Sequence, residues 1–218
     1  MAGTSYPKLF IETPLDKLRS QMDTNYFTAA YMAHATLKEW LAPSVSKKGS
    51  EKHLIFTSSV AAFYSVTGYA GYSPTKSALK GLSDTLVQEV LLYGDDVKVH
   101  TVFPGSISSP GFETENLSKP DITHILEESD PVQTPDEVAA KCIVGLEKGE
   151  YLVTVALLGA AMRACAWGGS RRNNWLLDTA LTWITSIAWA FIGRDLDGKV
   201  SAYGKKHGHP STYAKKAA

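Results

Sequence analysis

The stretch GYSPTKSALKG, Gly71 to Gly81, decides how the rest of the chain is read. A tyrosine stands four residues ahead of a lysine at what reads as the start of a helix, and residues i and i+4 share one helical face. Tyr72 and Lys76 therefore project side by side. A nearby cation favours the phenolate and draws a phenol down from its usual pKa near ~10. A tyrosine treated in this way exchanges a proton with a substrate oxygen near neutral pH. The spacing alone also fits a surface Tyr–Lys pair on an ordinary helix, so the surroundings have to decide.

Outward from that stretch, Tyr72 to Leu92 reads as one long helix with Leu79, Leu82, Leu86 and Val90 at core spacing, ended by Gly94-Asp95-Asp96. His53 to Thr57 (HLIFT) reads as a buried parallel strand that stops at Ser58-Ser59, and Val97 to Phe103 (VKVHTVF) as a second that stops at Pro104-Gly105. Strand, helix, strand is a βαβ unit with a right-handed crossover, and ligands of such sheets bind beyond the carboxyl ends of the strands. Ser59, Pro104, Gly105 and the start of the Tyr72 helix all fall there. Upstream, Thr13-Pro14 reads as a helix start with a hydroxyl cap, and Thr24 to Leu41 carries apolar residues at helical spacing. Downstream, Gly105 to Gln133 reads as a long irregular loop of the kind that forms lids. Thr134-Pro135-Asp136-Glu137 is a capping box opening a helix to about Lys148, and Tyr151 to Val155 is a further strand.

Charge and composition narrow the function. Lys+Arg and Asp+Glu balance at 22 each, which points away from nucleic acid. Cys142 and Cys165 read as reduced thiols, and none of the six histidines has ligand spacing, so no metal site is expected. MAGTSYPKLF has neither a basic n-region nor an apolar h-region, so no secretory signal is expected. Taken singly, Ser59 could cap the turn after a strand, Asn25 could be a helix-start residue and Pro104-Gly105 a strand-ending turn. Tyr64 and Tyr69 have no lysine four residues on and are set aside as proton donors.

Together, however, Asn25, Ser59 thirteen residues before Tyr72, Lys76 and Pro104-Gly105 resemble the motifs of the short-chain dehydrogenase/reductase family, in order. Met1-Ala2-Gly3 resembles the tail of its Asn-Ala-Gly motif. The likeness covers residues 1 to about 155. More narrowly, AGTSYPKLFIETP, YSPTK, PGSISSPGFETEN and the apolar tail resemble the fungal 3-ketodihydrosphingosine reductases. The resemblance implies Tyr72 as general acid to a ketone oxygen, Lys76 as pKa-lowering cation and holder of the nicotinamide ribose, and Ser59 as donor to the developing alkoxide. It implies Asn25 as anchor of a water relay, with Pro104, Gly105, Ile107, Ala2 and Gly3 against the cofactor and Phe112 in a lid. NADPH as cofactor enters only through this resemblance.

The fold expected is therefore α/β, a partial Rossmann-like doubly wound parallel sheet. Residues 1–155 would be the C-terminal part of a reductase domain, 156–193 apolar membrane-associated segments, and 194–218 a polar basic tail. No GxxxGxG or GxGxxG occurs in the chain, although the family's first βα turn uses such glycines to hold pyrophosphate. The expectation is a fragment of a longer reductase, or a misjudged start, with HLIFT left as a raw sheet edge and independent activity in doubt. Trp175 to Gly193 (WLLDTALTWITSIAWAFIG) has one charge, Asp178, and the length of a bilayer span. Basic residues on both sides leave orientation open and also suit a helix lying in the interface. The expected activity is NADPH-dependent reduction of the long-chain sphingoid ketone 3-ketodihydrosphingosine to dihydrosphingosine at the endoplasmic reticulum membrane, with the catalytic part facing the cytosol. Reduction of another lipid ketone, a 3-ketoacyl thioester or a steroid, is an alternative. So is a non-catalytic membrane-bound chain pairing, as a homo-oligomer or with a full-length reductase, through Thr24–Leu41 and Tyr72–Leu92.

Overall fold

The computed structural model describes residues 3–42, 51–92, 96–166 and 173–207. Three parallel strands form the sheet: β1 (Lys52–Thr57), β2 (Val97–Phe103) and β5 (Leu152–Thr154), in spatial order β1-β2-β5. Lys52 pairs with Val97 through to Thr57 with Val102, and Thr101 with Leu152. A parallel pair needs a long crossover, and α3 (Ser73–Glu89) supplies the one from β1 to β2. The core lies between α3 and the sheet. Leu79, Val87 and Val90 pack there with Phe56, Val97, Val99 and Phe103, together with Ala33 and Leu37 from α2 (Thr28–Trp40).

β1 differs from its reading as a fully buried strand. It is the sheet edge, as expected for HLIFT, but only one of its faces is buried: Phe56 is buried while Ile55 on the other face is 45% exposed. A run of apolar letters does not reveal whether both faces have partners.

Thr13 does not cap a helix. Its hydroxyl donates to Leu9 O (3.0 Å), closing a 3-10 turn at Phe10–Glu12, and α1 (Leu15–Met22) begins after Pro14. Between α1 and α2 the helix widens into a π turn over Asp23–Phe27, which carries Asn25. The loop expected from Gly105 to Gln133 is also corrected. It folds into β3 (Ser106–Ile107), α4 (Pro110–Ser118), α5 (Asp121–Glu127) and β4 (Val132–Gln133), with β3 and β4 paired in parallel. Ser109 caps α4 by accepting from Phe112 N–H (3.2 Å). α4 has no apolar stripe, which is why its sequence reads as loop.

The capping box holds: Glu137 N–H donates to Thr134 Oγ1 (3.3 Å) and Thr134 N–H to the Glu137 carboxylate (2.8 Å), starting α6 (Pro135–Glu147). After β5 come α7 (Leu157–Cys165) and α8 (Trp175–His207). The stretch Trp175–Ile192 within α8 is long and apolar enough to cross a membrane. Asp178, its one acidic residue, is buried at the root of the helix. There it accepts from Arg163 (3.2 Å) and from the backbone of Asn173 and Asn174 (3.0 and 3.1 Å). Asn173 in turn behaves as a strand partner for β5: its amide oxygen accepts from Tyr151 and Leu152 N–H (2.9 and 3.2 Å) and its amide nitrogen donates to Leu152 O (2.7 Å). Among the described residues, Cys142 and Cys165 are free thiols and no cluster could hold a metal ion.

Candidate active site

The carboxyl ends of β1 and β2 run on side by side. Ser58 N–H donates to Val102 O (2.9 Å) and Val60 N–H to Pro104 O (3.0 Å), which places Ser59 next to the Pro104-Gly105 turn. α3 starts over these ends. Tyr72 occupies the position before its first turn and Lys76 the turn itself, with Lys76 N–H directed to Tyr72 O (3.4 Å). Ser58 locks the arrangement by donating its hydroxyl to Lys76 O (2.8 Å).

A cavity of about 1190 Å³ opens here, lined by Ser59, Tyr72, Lys76, Asn25 and the turn Pro104–Ile107. Gly3 also lines it, while Ala2 lies outside the described residues. Phe112 on α4 stands in the wall, where a lid was expected. An added Cβ on Gly105 would meet nothing within 4 Å, so backbone and open space face each other at that point.

Lys76 Nζ donates to Thr57 O (3.2 Å) and lies 5.6 Å from the centre of the Tyr72 ring. Burial draws this ammonium down to about 8. Tyr72 moves the opposite way from the sequence expectation. Burial pushes the phenol up to about 12, and Glu115 adds to the rise, while a hydrogen bond from the Ser59 side chain pulls it down. The reason is a competition that spacing does not disclose: desolvation disfavours both charged forms, and at this site it outweighs their mutual attraction.

Ser59 caps a turn and also reaches the phenol. Its hydroxyl accepts from Ala61 N–H (3.2 Å), capping the turn Val60–Ala62, and it also bonds Tyr72. Asn25 is 2% exposed, with its amide oxygen and both amide protons hydrogen-bonded. It accepts from Thr4 N–H (2.8 Å) and donates to Thr4 O (2.9 Å) and to Thr75 Oγ1 (3.0 Å), beside Lys76. Its side chain thus ties the N-terminal segment to α3, and its backbone lies in the π turn, a feature often found at functional sites.

Spacing missed one wall of the cavity altogether. Tyr69, set aside earlier, lines it together with Glu115, Glu127 and Asp130. Tyr69 donates its hydroxyl to Glu115 (2.7 Å), and burial beside that carboxylate pushes its pKa far above the ordinary phenol range, so it is no acid. These residues come from α4, α5, the turn after α5 and the segment before α3. No local pattern joins them.

The chain matches the short chain dehydrogenase family over residues 1–119. It is 47% identical over 220 residues to a 3-ketodihydrosphingosine reductase of Neurospora crassa, covering 99% of this chain and 61% of that protein. It is 46% identical over 230 residues to one of Aspergillus fumigatus, covering 98% and 63%. The chain thus spans about three fifths of the length of these curated relatives. Among solved structures it resembles a short chain dehydrogenase from Burkholderia cenocepacia in complex with NADP (TM-score 0.60, 19% identity, 76% of this chain and 63% of that one). It also resembles a short-chain dehydrogenase from Streptomyces avermitilis (TM-score 0.58, 22% identity, 89% and 68%). At these identities the structures speak for the fold.

Proposed function

The chain belongs to the short chain dehydrogenase family, and on that premise we propose that it carries the proton-transfer half of a ketone reductase. The reaction is reduction of 3-ketodihydrosphingosine to dihydrosphingosine. The observation that carries this reading is one cavity bringing Ser59, Tyr72 and Lys76 together, in a chain nearly half identical to reductases of that name.

Tyr72, held protonated by burial, is the general acid toward the ketone oxygen. Ser59 hydrogen-bonds the phenol and stands where it can donate to the alkoxide as charge develops. Lys76, fixed on Thr57 O, keeps a cation at the foot of the site. Asn25 braces the Lys76 turn through Thr75 and ties it to the N-terminal segment. When bound, a nicotinamide cofactor supplies the hydride. The residues present fit its nicotinamide end, since the Lys76 ammonium and the open backbone at Gly105 face the same cavity. Lys76, Tyr72, Gly3 and Pro104 to Ile107 would hold it. The choice of NADPH over NADH rests on the resemblance.

A membrane location fits the apolar helix and a substrate with a long alkyl chain. The endoplasmic reticulum with a cytosolic active site is the placement we propose. Exposed Phe27, Tyr31 and Met32 on and beside α2 favour pairing with a second chain of the same fold as an additional property.

The test is ketone-dependent oxidation of NADPH by the purified chain. 3-Ketodihydrosphingosine should be turned over in preference to a 3-ketoacyl thioester or a steroid ketone. Equal turnover of the three would overturn the substrate, and no turnover of any would leave the chain a non-catalytic partner.

A further inference from the structure

The wall built on Tyr69 and Glu115 already holds an alkylammonium. The Lys119 side chain is 1% exposed and its Nζ sits between Glu127 (2.7 Å) and Glu115 (3.3 Å), over the rings of Phe112 (5.0 Å) and Tyr69 (5.7 Å). Carboxylates and aromatic faces are the groups that bind alkylammonium ions. The charges in this wall do not cancel. Glu115, Glu127 and Asp130 all line the cavity, and among the described residues Lys119 is the cation paired with Glu115 and Glu127. Burial first, and then the neighbouring Glu127, raise the Asp130 carboxyl, while Lys119 pulls it down. A partly buried carboxylate without full compensation favours a counter-cation supplied from outside.

This wall adjoins the reacting group. The Tyr69 ring, whose hydroxyl donates to Glu115, lies 5.8 Å from the Tyr72 ring, and the field of Glu115 reaches the Tyr72 phenol. The proposed substrate has matching chemistry, because its carbon next to the ketone bears an amine that is protonated at neutral pH. We infer that Glu115 is a specificity-determining residue, selecting ketones that carry an ammonium group beside the carbonyl. The inference rests on the substrate reading above and deepens it. Neither a 3-ketoacyl thioester nor a steroid ketone offers that cation.

The isosteric analogue with hydroxyl in place of the amine provides the comparison. Reduction of both ketones by the full chain and by Glu115→Gln gives a ratio of kcat/KM values for each protein. Binding of dihydrosphingosine and its 2-hydroxy analogue, measured without turnover, gives a second ratio. Glutamine still accepts from Tyr69, so the fold keeps that contact. A close charge pair of this kind corresponds to a preference of about tenfold or more. The expected result is that preference in the unaltered chain and its collapse toward unity in Glu115→Gln, in both ratios. A structural role would lower both ligands alike and leave the ratios unchanged, and that outcome overturns the inference. So does an unaltered chain with no preference, which would mean that Lys119 already satisfies the wall. Amine-selective binding without reduction of either ketone would uphold the inference and sink the activity instead.

Discussion

Lys76 carries its ammonium into a site where burial disfavours it, and the sign of the consequence can be worked out. Its folded value is about 8, against an ordinary value near ~10.4 in an unfolded chain. Between those values the unfolded chain binds more protons, so stability rises with pH across the window. Below about 8 the lysine is a standing cost. Lys76→Met is therefore expected to raise the urea midpoint at neutral pH while abolishing reduction. The gain should shrink as pH climbs from about 8 toward 10, as denaturation curves across that range will show. Reduction by the unaltered chain should decline as pH rises through about 8, and Lys76→Arg should remove that decline, because arginine stays charged. Tyr72, pushed up to about 12, keeps its proton throughout. Tyr72→Phe is expected to lower kcat by about a hundredfold to ten-thousandfold with little change in substrate binding, the size usual for a general acid.

At the scale of elements, α6 and β5 approach closely. A Cβ added to Gly145 would stand 2.5 Å from Val153 Cγ1 and 3.1 Å from Cγ2, closer than real side chains come. Gly145→Ala is expected to cost about 1–3 kcal/mol, read as a lower thermal midpoint, because an overpacked contact shifts backbone rather than compressing. Gly145→Ala with Val153→Ala should recover part of the loss. The root of α8 is a second such joint. Arg163 and Asp178 form a buried pair, and removing one partner leaves the other charged and uncompensated. Asp178→Ala should release α8 from β5 and lower stability by up to about 3–5 kcal/mol, whereas a charge change on the exposed side of α8 should not.

At the scale of the whole molecule, α8 packs one face on the domain and presents another outward. Trp189 meets Tyr64 edge-on at 5.0 Å, and Thr182 donates to Ala164 O (3.0 Å), on the inner side. Leu176, Trp183, Ile184, Ile187 and Phe191 are exposed at helical spacing on the outer side. A contiguous apolar surface of this kind marks a contact with membrane or protein. Flotation with phospholipid vesicles should recover the chain, and Trp183→Glu with Ile187→Glu should leave it at the bottom of the gradient. Retained flotation by that double variant would show that the stripe is not what holds the membrane.

Much of the fold and half of the site were legible in the letters alone. Periodicity and punctuation gave the helices on either side of β1, the parallel βαβ unit and the Thr134 capping box, because these depend on interactions within a few residues. The Tyr72–Lys76 pair was visible for the same reason: one helical turn sets its geometry. Three features belonged to tertiary structure. β1, expected at the edge, buries only one face, because exposure of a strand face depends on what packs beside it. The phenol moved up rather than down because desolvation is set by the whole cavity, not by the nearest charge. The wall of Tyr69, Glu115, Lys119 and Glu127 joins residues up to 58 positions apart in sequence, and only the folding of α4 and α5 against the segment before α3 brings their charges within reach of one another.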